Sequence, residues 1–458
     1  MNHAPEQGKS GKKFWLVALL AVLVVLAAIQ FVHPAIPFGP STAEIAAPPA
    51  VRQVLAKDCF SCHSNENRLA WFDQAEPAYW LVRRDVLQAR AHLNFSTIGS
   101  RPLPAQKAAL YEAVAMMQMG AMPLPSFVKL HPEARVTPED LAAIKAYLNP
   151  WSTPLPKMEN VDAAISSAPR INLAAVQPTA NGLAFDPTLE GWRLIATTNR
   201  GDNMQFRLIL GNPAAVQAAR EGKVHPWPDG ARFAKFAWLQ TQGDDGLVYP
   251  GAFWQVELMV KNAEQYRLTD GWSWGRWRGL ALKPYGKNAA VGHECTGCHM
   301  PVRGNDAVYT EPISTAIVPG NEVLNANAAR LPVSLPFQPL GWGVVSMFLD
   351  PQRHTSSVLF ANDAGLEAAR AHSDGAMQYP AGSVLALVTW TERDDPHWFG
   401  ARIPDQPVSV EFVEVSTGGQ IGRYRRFAGA ALHETSSASA EALARVKFIE
   451  GLRPLQLP

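Results

Sequence analysis

Cysteine is scarce in this chain, since its 458 residues contain only four. All four lie in two Cys-x-x-Cys-His pentads, at residues 59–63 and 295–299, so no cysteine remains for a disulfide bond elsewhere. The chain also lacks runs of one charge, and its net charge is +1. Because a basic patch or stripe is the usual electrostatic footprint of nucleic-acid binding, we expect no nucleic-acid partner.

The spacing within each pentad is typical of covalent haem attachment. Two thiols three residues apart can reach both vinyl groups of one haem, and the histidine that follows can coordinate the iron. A redox dithiol or half of a zinc site are the alternatives, but the first needs no trailing histidine and the second usually needs another Cys or His pair nearby. We therefore predict two covalently bound c-type haems with iron. The residues assigned to them are Cys59, Cys62 and His63 for the first haem and Cys295, Cys298 and His299 for the second.

A long apolar run follows Lys12 and Lys13 near the N-terminus and comprises about 19 residues, close to the ~20 that a membrane-spanning helix needs. Residues 1–33 are therefore predicted to be a cytoplasmic tip and a single anchor in a bacterial inner membrane, with the bulk of the chain periplasmic. A cleaved signal peptide is the alternative, but it would be shorter and would end in a small-x-small site. Residues 34–50 are rich in Pro and Ala and predict an extended spacer.

Residues 51–150 predict a small α-helical haem domain. Apolar residues recur at helical spacing in three segments, and Thr137 with Glu139 predicts a capped start for the last of them. The predicted helices cover residues 76–93, 105–120 and 137–148.

The sixth ligand of the first haem is expected later in the same domain. Met122 is favoured, because GAMPLP predicts an irregular loop that can aim its thioether at iron, whereas methionines within a helical pattern usually fill the core. His/Met ligation would raise the potential and close the iron, which favours electron transfer over substrate chemistry. The other candidates are Met116, Met117, Met119, His92 and His131.

The rest of the chain contains one domain twice. Residues 171–320 and 335–458 follow a proline-containing linker at 151–170 and align at an offset of about 150. Apolar runs at strand spacing and Gly, Pro and Asp turns predict a mostly antiparallel β-sheet in each copy. The second copy ends in a helix without Cys or His, so it cannot hold a c-type haem. The paired residues are Trp192 and Trp342, Asn212 and Asn362, Gly230 and Gly382, Trp238 and Trp390, and Glu257 and Glu411.

The first copy resembles cytochrome P-460, a β-sheet haem protein with one C-terminal Cys-x-x-Cys-His that oxidises hydroxylamine and is related to nitric-oxide-binding cytochromes c-prime of the β type. The resemblance lies in FRLILGNPAAV, PDGARFAKFAW, FWQVELMVKNAEQY and ECTGCHMPVRGND. It implies that Lys235 is bonded to the porphyrin edge and that Arg207 lies in the distal pocket. The distal acid of that family has no match here.

Two further expectations follow from resemblance. CFSCHSNEN, DVLQARAHLNFS and GAMPLPSF resemble a small haem-binding domain family of bacterial exported proteins. The cytochrome P-460 family forms homodimers, so we expect the two copies to pack as an internal pseudo-dimer. The expected fold is multidomain α + β: an N-terminal transmembrane helix, a small all-α cytochrome c domain and two mostly antiparallel β-sheet domains of cytochrome P-460 type.

The second copy gives Lys235 and Arg207 independent support. Lys235 shares a strand face with apolar neighbours, where a lysine is costly unless it reaches water or a partner. Its equivalent in the second copy is Leu387, and the equivalent of Arg207 is Ser357. Glu257 is retained as glutamate in both copies, so we assign it to the fold rather than to the haem. A lysine whose stem lies on an apolar surface with its amine in water is the alternative.

These patterns together predict an oxidoreductase. No residue is an obvious sixth ligand of the second haem, so its iron is expected to be open to hydroxylamine or a related small nitrogen oxide. Lys235 would tune the macrocycle and Arg207 would orient the ligand, while the His63 haem passes electrons to an exported acceptor. The alternatives are a nitric-oxide carrier or sensor without turnover and a plain electron-transfer cytochrome. The charged segment 391–405 predicts a solvated loop.

Overall fold

The chain divides into two compact units, Met1–Asn149 and Pro150–Pro458. Most of the predicted linker at 151–170, and residues 1–9 of the predicted cytoplasmic tip, lie outside the described residues. The structure, a computed structural model, describes residues 10–152, 155, 157, 171–288, 291–313, 329–371, 378–416 and 421–458.

The N-terminal unit is helical, and the three helices predicted after the first pentad are observed as α4, α5 and α7. The last of these begins with a capping box, in which the Thr137 hydroxyl accepts from the Asp140 amide at 3.2 Å and the Asp140 carboxylate accepts from the Thr137 amide at 2.8 Å. Asp140 rather than the predicted Glu139 is the partner, because the third helical residue is the one that can reach back. The helices are α1 (Ser10–Ile29), α2 (Pro49–Asp58), α3 (Phe60–His63), α4 (Ala78–His92), α5 (Leu103–Gln118), α6 (Pro125–Leu130) and α7 (Pro138–Leu148).

The prediction of an N-terminal transmembrane helix is wrong. Within the described part of the chain, no helix combines the length and the apolar character that crossing a membrane requires. Helix α1 ends at Ile29 and its apolar part begins at Phe14, so that part is about 24 Å long, against a hydrocarbon core of roughly 30 Å. The predicted localisation, a single span in a bacterial inner membrane, is therefore wrong as well.

The segment predicted as an extended spacer packs within the N-terminal unit. It has no helix or strand between residues 34 and 48, but Ile36 and Ile45 are buried. The Ile45 amide donates to the Phe95 carbonyl at 3.0 Å. A Cβ at Gly99 would lie 2.1 Å from the Glu44 carbonyl oxygen, so this close approach requires glycine.

The C-terminal unit is built on an antiparallel sheet, and each copy places a short helix after its second strand. Strands β1 to β4 and then β7 to β10 follow one another in hydrogen-bonded order, and β1 also pairs with β10, so these strands close on themselves. The strands are β1 (Arg193–Arg200), β2 (Gln205–Gly211), β3 (Arg232–Gln242), β4 (Val248–Lys261), β5 (Trp272–Arg278), β6 (Lys283–Pro284), β7 (Gly343–Asp350), β8 (Thr355–Ala361), β9 (Val384–Asp394), β10 (Ala401–Val415), β11 (Ile421–Ala428) and β12 (His433–Thr435). The helices are α8 (Pro213–Glu221), α9 (Val291–His299), α10 (Asp363–Ala371) and α11 (Ser439–Glu450).

The two copies exchange strand pairings reciprocally. The first strand of the first copy pairs with the fourth strand of the second at Asn199 and Arg402. The fourth strand of the first copy pairs with the first strand of the second at Val248 and Leu349. Each copy thus presents the same two strands to the other, which is the pattern expected of a two-fold interface.

The inner faces of the strands of both copies form one apolar core. The indole nitrogens of Trp238 and Trp390, at equivalent positions, donate to the carbonyls of Gln456 at 3.0 Å and Ala329 at 2.7 Å. On the outer faces, α8 and α9 cover the first copy, while α10 and α11 cover the second. The largest side chains of the shared core include Phe206, Phe236, Trp238, Trp277, Phe360, Trp390 and Phe412.

Ending the chain at residue 313 should remove the partner of this shared core. Strands β1 and β4 would become open edges, and each large apolar side chain newly exposed to water costs about 1.5–3 kcal/mol. We expect the shortened protein to dimerise or aggregate, as measured by light scattering after size exclusion, while the full chain under the same conditions does not. A soluble, well-folded monomer ending at residue 313 would contradict the shared core.

Candidate functional site

The first pentad lies at the bend between α2 and α3. His63 is the last residue of α3, and its Nδ1–H donates to the Leu93 carbonyl at the end of α4, at 2.9 Å. Burial lowers the pKa of His63, against the opposing effect of this hydrogen bond, so the ring is neutral. A neutral imidazole whose Nδ1–H is held by a carbonyl presents Nε2 to a metal, which is the arrangement of haem-ligating histidines.

The two thiols of the first pentad are reduced and half-buried. Burial raises the pKa of Cys59 to about 12 and that of Cys62 to about 11, so both are protonated thiols at neutral pH. Cys62 packs beside Tyr79 and Val86 of α4. Their chemistry fits addition to vinyl groups and does not fit a reactive dithiol, which needs a lowered thiol pKa.

The structure separates the candidates for the sixth ligand of the first haem. The two ring nitrogens of His131 face carboxylates, Asp73 at 3.0 Å and Glu133 at 3.2 Å. His92 faces Glu112 at 3.1 Å. Met122 follows α5 on a turn, and its side chain is 37% exposed. Met122 is therefore not enclosed in the core, and its ligation of the first haem stays a prediction. The remaining methionines, Met116, Met117 and Met119, belong to the last turn of α5 and its C-cap.

The second pentad forms the C-terminal half of α9, which packs against β5. His299 is its last residue, and its Nδ1–H donates to the Ala307 carbonyl at 2.7 Å. The His299 ring lies 5.2 Å from the Trp274 ring and 5.4 Å from the Tyr309 ring, between centroids. Burial lowers the pKa of His299 to about 4, so this imidazole is also neutral and presents Nε2. Burial raises the pKa of Cys295 to about 11.

The Ala307 carbonyl is aimed by a tight turn. Asp306 and Ala307 have φ values of 50° and 59°, in the left-handed region that costs a non-glycine residue about 1 kcal/mol. The Asp306 carboxylate offsets that cost, since it accepts from Lys261 Nζ at 2.8 Å and from the Trp227 amide at 2.8 Å. The turn therefore fixes the acceptor that orients His299.

A row of charges crosses the outer face of the first copy beside α9. Lys235 of β3, Glu257 of β4 and Arg276 of β5 are directly paired in register. Lys235 Nζ forms an ion pair with Glu257, and Arg276 Nε donates to the same carboxylate at 2.6 Å. Met259 and Trp274 form the next row and belong to the apolar cluster that includes Cys295. The three charged residues therefore lie next to the apolar cluster into which Cys295 of the second pentad packs.

Electrostatics within this row set the charge of each group. Burial lowers the pKa of Lys235 to about 8 even though Glu257 opposes the shift, which leaves roughly a tenth of the amines neutral at pH 7. Burial alone would raise the pKa of Glu257, but Lys235 and Arg276 outweigh it and hold that pKa well below its usual range. The Lys235 side chain is 28% exposed and that of Arg276 is 25% exposed, so the row is partly open to solvent.

Arg207 of β2 lies close to the same row. Burial lowers the pKa of its guanidinium to about 10, with Arg200 adding to the shift. Its Nη2 donates only weakly to Gln205, at 3.4 Å, and its buried Nε has no hydrogen-bond partner among the described residues. A buried guanidinium with an unpaired donor is costly unless a ligand accepts from it.

The second copy shows what this face becomes without a pentad. Leu387 occupies the register position of Lys235 opposite Glu411, and it is fully buried. Glu411 pairs instead with Arg445 of α11, at 2.7 Å, and Val446 of the same helix packs on Leu387. The helix of the second copy therefore covers this face, whereas the first copy leaves partly exposed charged groups beside two thiols and an imidazole. These residues fit a haem group.

Some site residues were not identified from the sequence. Glu257 was assigned a structural role from the sequence, but its carboxylate forms an ion pair with Lys235 beside the second pentad. Asp306 and Lys261 are 45 residues apart in the chain, and no local pattern joins them. The segment predicted as a solvated loop is half-buried, and His397 within it donates from Nδ1 to the Tyr309 carbonyl at 3.0 Å. Contacts between segments that are distant in the chain place all these groups.

Comparison with known proteins agrees with this geometry. Residues 23–150 match the family model described as a haem-binding domain. Residues 188–310 match the family model described as Cytochrome P460. Both resemblances drawn from the sequence are confirmed, whereas no curated protein matches the chain. Two segments of the chain thus match haem-protein family models, and together they indicate a haem cytochrome.

Proposed function

We propose that the protein is a dihaem c-type cytochrome that oxidises hydroxylamine or a related small nitrogen oxide. The observation that carries the proposal is the partly exposed charged row of Lys235, Glu257 and Arg276 beside the second pentad, whereas the second copy covers the equivalent face with its own helix. A haem held there by Cys295 and Cys298, with His299 as proximal ligand, would supply an iron that binds a small ligand and takes up its electrons.

The charged residues beside the second pentad would have three different roles. Arg207 would donate hydrogen bonds to the bound ligand, since its buried Nε lacks an acceptor within the described part of the chain. Lys235, with a neutral amine fraction at physiological pH, would contact or bond the porphyrin edge. Glu257 would balance the charges of Lys235 and Arg276. Its lowered pKa makes it a poor proton acceptor, so it serves as a counter-ion.

The first pentad would hold the haem that passes electrons onward. His63 is oriented by the Leu93 carbonyl, and Met122 as sixth ligand would leave no position for substrate. Electrons from the ligand oxidised at the second haem would leave through the first haem to a separate acceptor protein. This division requires one closed and one open iron.

We also propose that the second copy takes the place of a second subunit as the partner in an internal pseudo-dimer. The reciprocal pairings at Asn199 with Arg402 and Val248 with Leu349 support the proposal. The retained Glu411 also supports it. Its carboxylate pairs with Arg445 of α11, so the covering helix is held on the sheet of the second copy although this copy has no pentad. The chain shortened at residue 313 tests this proposal together with the shared core.

Replacing Met122 with Ala should open the first haem. Loss of a thioether ligand lowers the reduction potential and lets carbon monoxide bind the reduced iron. Visible spectra of the reduced variant with and without carbon monoxide measure both effects, because a second haem equivalent then binds the gas. Met119→Ala is the matched control, since Met119 lies three residues earlier at the C-cap of α5. An unchanged spectrum for Met122→Ala shows that another residue is the ligand.

Replacing Lys235 with Leu should remove hydroxylamine oxidation and leave the fold intact. Leucine is the residue that the second copy carries at this register position, so the sheet accommodates it. We expect at least a hundredfold loss of turnover, on the scale of one lost catalytic group (about 10² or more), and a return of the main absorption band to an ordinary c-type position. Lys283→Leu on the exposed strand β6 is the control.

Peptide mapping together with ligand binding distinguishes a hydroxylamine-oxidising enzyme from the two alternative functions. If Lys235 is bonded to the haem, proteolysis should leave the peptide with Cys295 and Cys298 attached to the peptide with Lys235. A free, chemically modifiable Lys235 amine combined with full nitric-oxide binding favours a carrier or sensor. Failure of the second haem to bind any small ligand favours a plain electron-transfer cytochrome.

A further inference from the structure

The second copy reaches the pentad of the first through one hairpin loop. Residues 395–400 connect β9 to β10, and His397 and Trp398 at its tip are half-buried. Two more residues separate Trp390 from Glu411 than separate the equivalent Trp238 from Glu257. The hairpin that carries the loop is therefore longer in the copy that has no pentad.

Both residues at the tip contact Tyr309. His397 Nδ1–H donates to the Tyr309 carbonyl at 3.0 Å, and its side chain is 16% exposed. The Trp398 ring packs edge-on to the Tyr309 ring at 5.8 Å between centroids. Trp398 is itself fixed, because its Nε1–H donates to Asp202 at 3.3 Å and the Arg200 guanidinium lies 4.3 Å above its ring.

Tyr309 connects these contacts to the proximal histidine. Its hydroxyl donates to the Cys298 carbonyl at 2.6 Å, and its ring stands edge-on to His299 at 5.4 Å. Ala307, whose carbonyl accepts from His299 Nδ1 at 2.7 Å, lies two residues before Tyr309. Residues 307–309 are thus held from both sides, by α9 of the first copy and by the loop of the second.

We propose that His397 and Trp398 are positioning residues that hold segment 307–309, so that the copy without a pentad sets the donor strength of His299. A hydrogen bond from Nδ1 raises the basicity of Nε2, which strengthens its bond to iron and favours the oxidised state. When the segment loosens, the Ala307 carbonyl moves from Nδ1, His299 becomes a weaker donor, and the reduction potential rises. The inference rests on His299 as a haem ligand.

The test uses His397→Leu and His397→Asn in the full haem-loaded protein. Leucine removes the donor, whereas the asparagine amide restores one at nearly the same place. We expect His397→Leu to raise the potential of the second haem, so that at a fixed potential the reduced-to-oxidised ratio grows about threefold or more, the effect of losing one hydrogen bond. Resonance Raman spectra should show a lower iron–histidine stretching frequency, and His397→Asn should restore both readouts.

Two further variants keep the test interpretable. Trp398→Phe retains an aromatic edge against Tyr309 and should change the potential less than Trp398→Leu. His433→Leu is the matched control, because His433 is an exposed histidine on β12 of the same copy, and it should leave potential and frequency unchanged.

The outcomes distinguish this inference from the proposed function. If the second pentad carries a haem but His397→Leu and Trp398→Leu leave the potential and the stretching frequency unchanged, the positioning role is wrong and the proposed function stands. If the peptide with Cys295 and Cys298 carries no haem, the proposed function fails and the inference fails with it.

Discussion

The ion pair between Lys235 and Glu257 is the interaction on which the C-terminal site depends. An ammonium on an otherwise apolar strand face is costly unless a carboxylate lies beside it, and the register of β3 against β4 places Glu257 directly opposite. Arg276 completes the row from β5. Burial lowers the pKa of Lys235 to about 8 although Glu257 opposes the shift, and the shared carboxylate pairs with both cations. The sheet thus presents a partly exposed amine beside the second pentad.

The two copies share one sheet architecture but differ in the helix that covers its outer face. In the first copy, the covering helix α9 carries thiols and an imidazole, and the strands supply the charges. In the second, the covering helix α11 carries Arg445, which pairs with Glu411, and apolar residues that bury Leu387. The packed face of the second copy thus goes with Leu387 in place of Lys235, Ser357 in place of Arg207 and a different covering helix. The second copy keeps its strand edges, which complete the sheet of the first, and its β9–β10 loop, which contacts Tyr309.

The sequence predicted most features that local patterns encode. Cysteine spacing located both pentads, helical periodicity located α4, α5 and α7, and comparison of the copies distinguished Lys235 from Leu387. Features that depend on distant contacts were missed: the Asp306 turn stabilised by Lys261, and the burial of His397 against Tyr309. Because a glutamate is retained at this position in both copies, Glu257 was assigned a purely structural role. The carboxylate nevertheless has different partners in the two copies, Lys235 in the first and Arg445 in the second. The predicted membrane span was wrong because apolar composition was counted beyond Ile29, where α1 ends.

The proposed function requires that one chain hold a closed haem and an open haem. Titration of the fully reduced protein with nitric oxide or carbon monoxide, followed by visible spectroscopy, tests this requirement when the covalent haem content is determined by intact mass. We expect two covalent haems per chain and one equivalent of bound gas, at the haem attached to Cys295 and Cys298. A single haem, two gas-binding haems, or none that binds gas would contradict it.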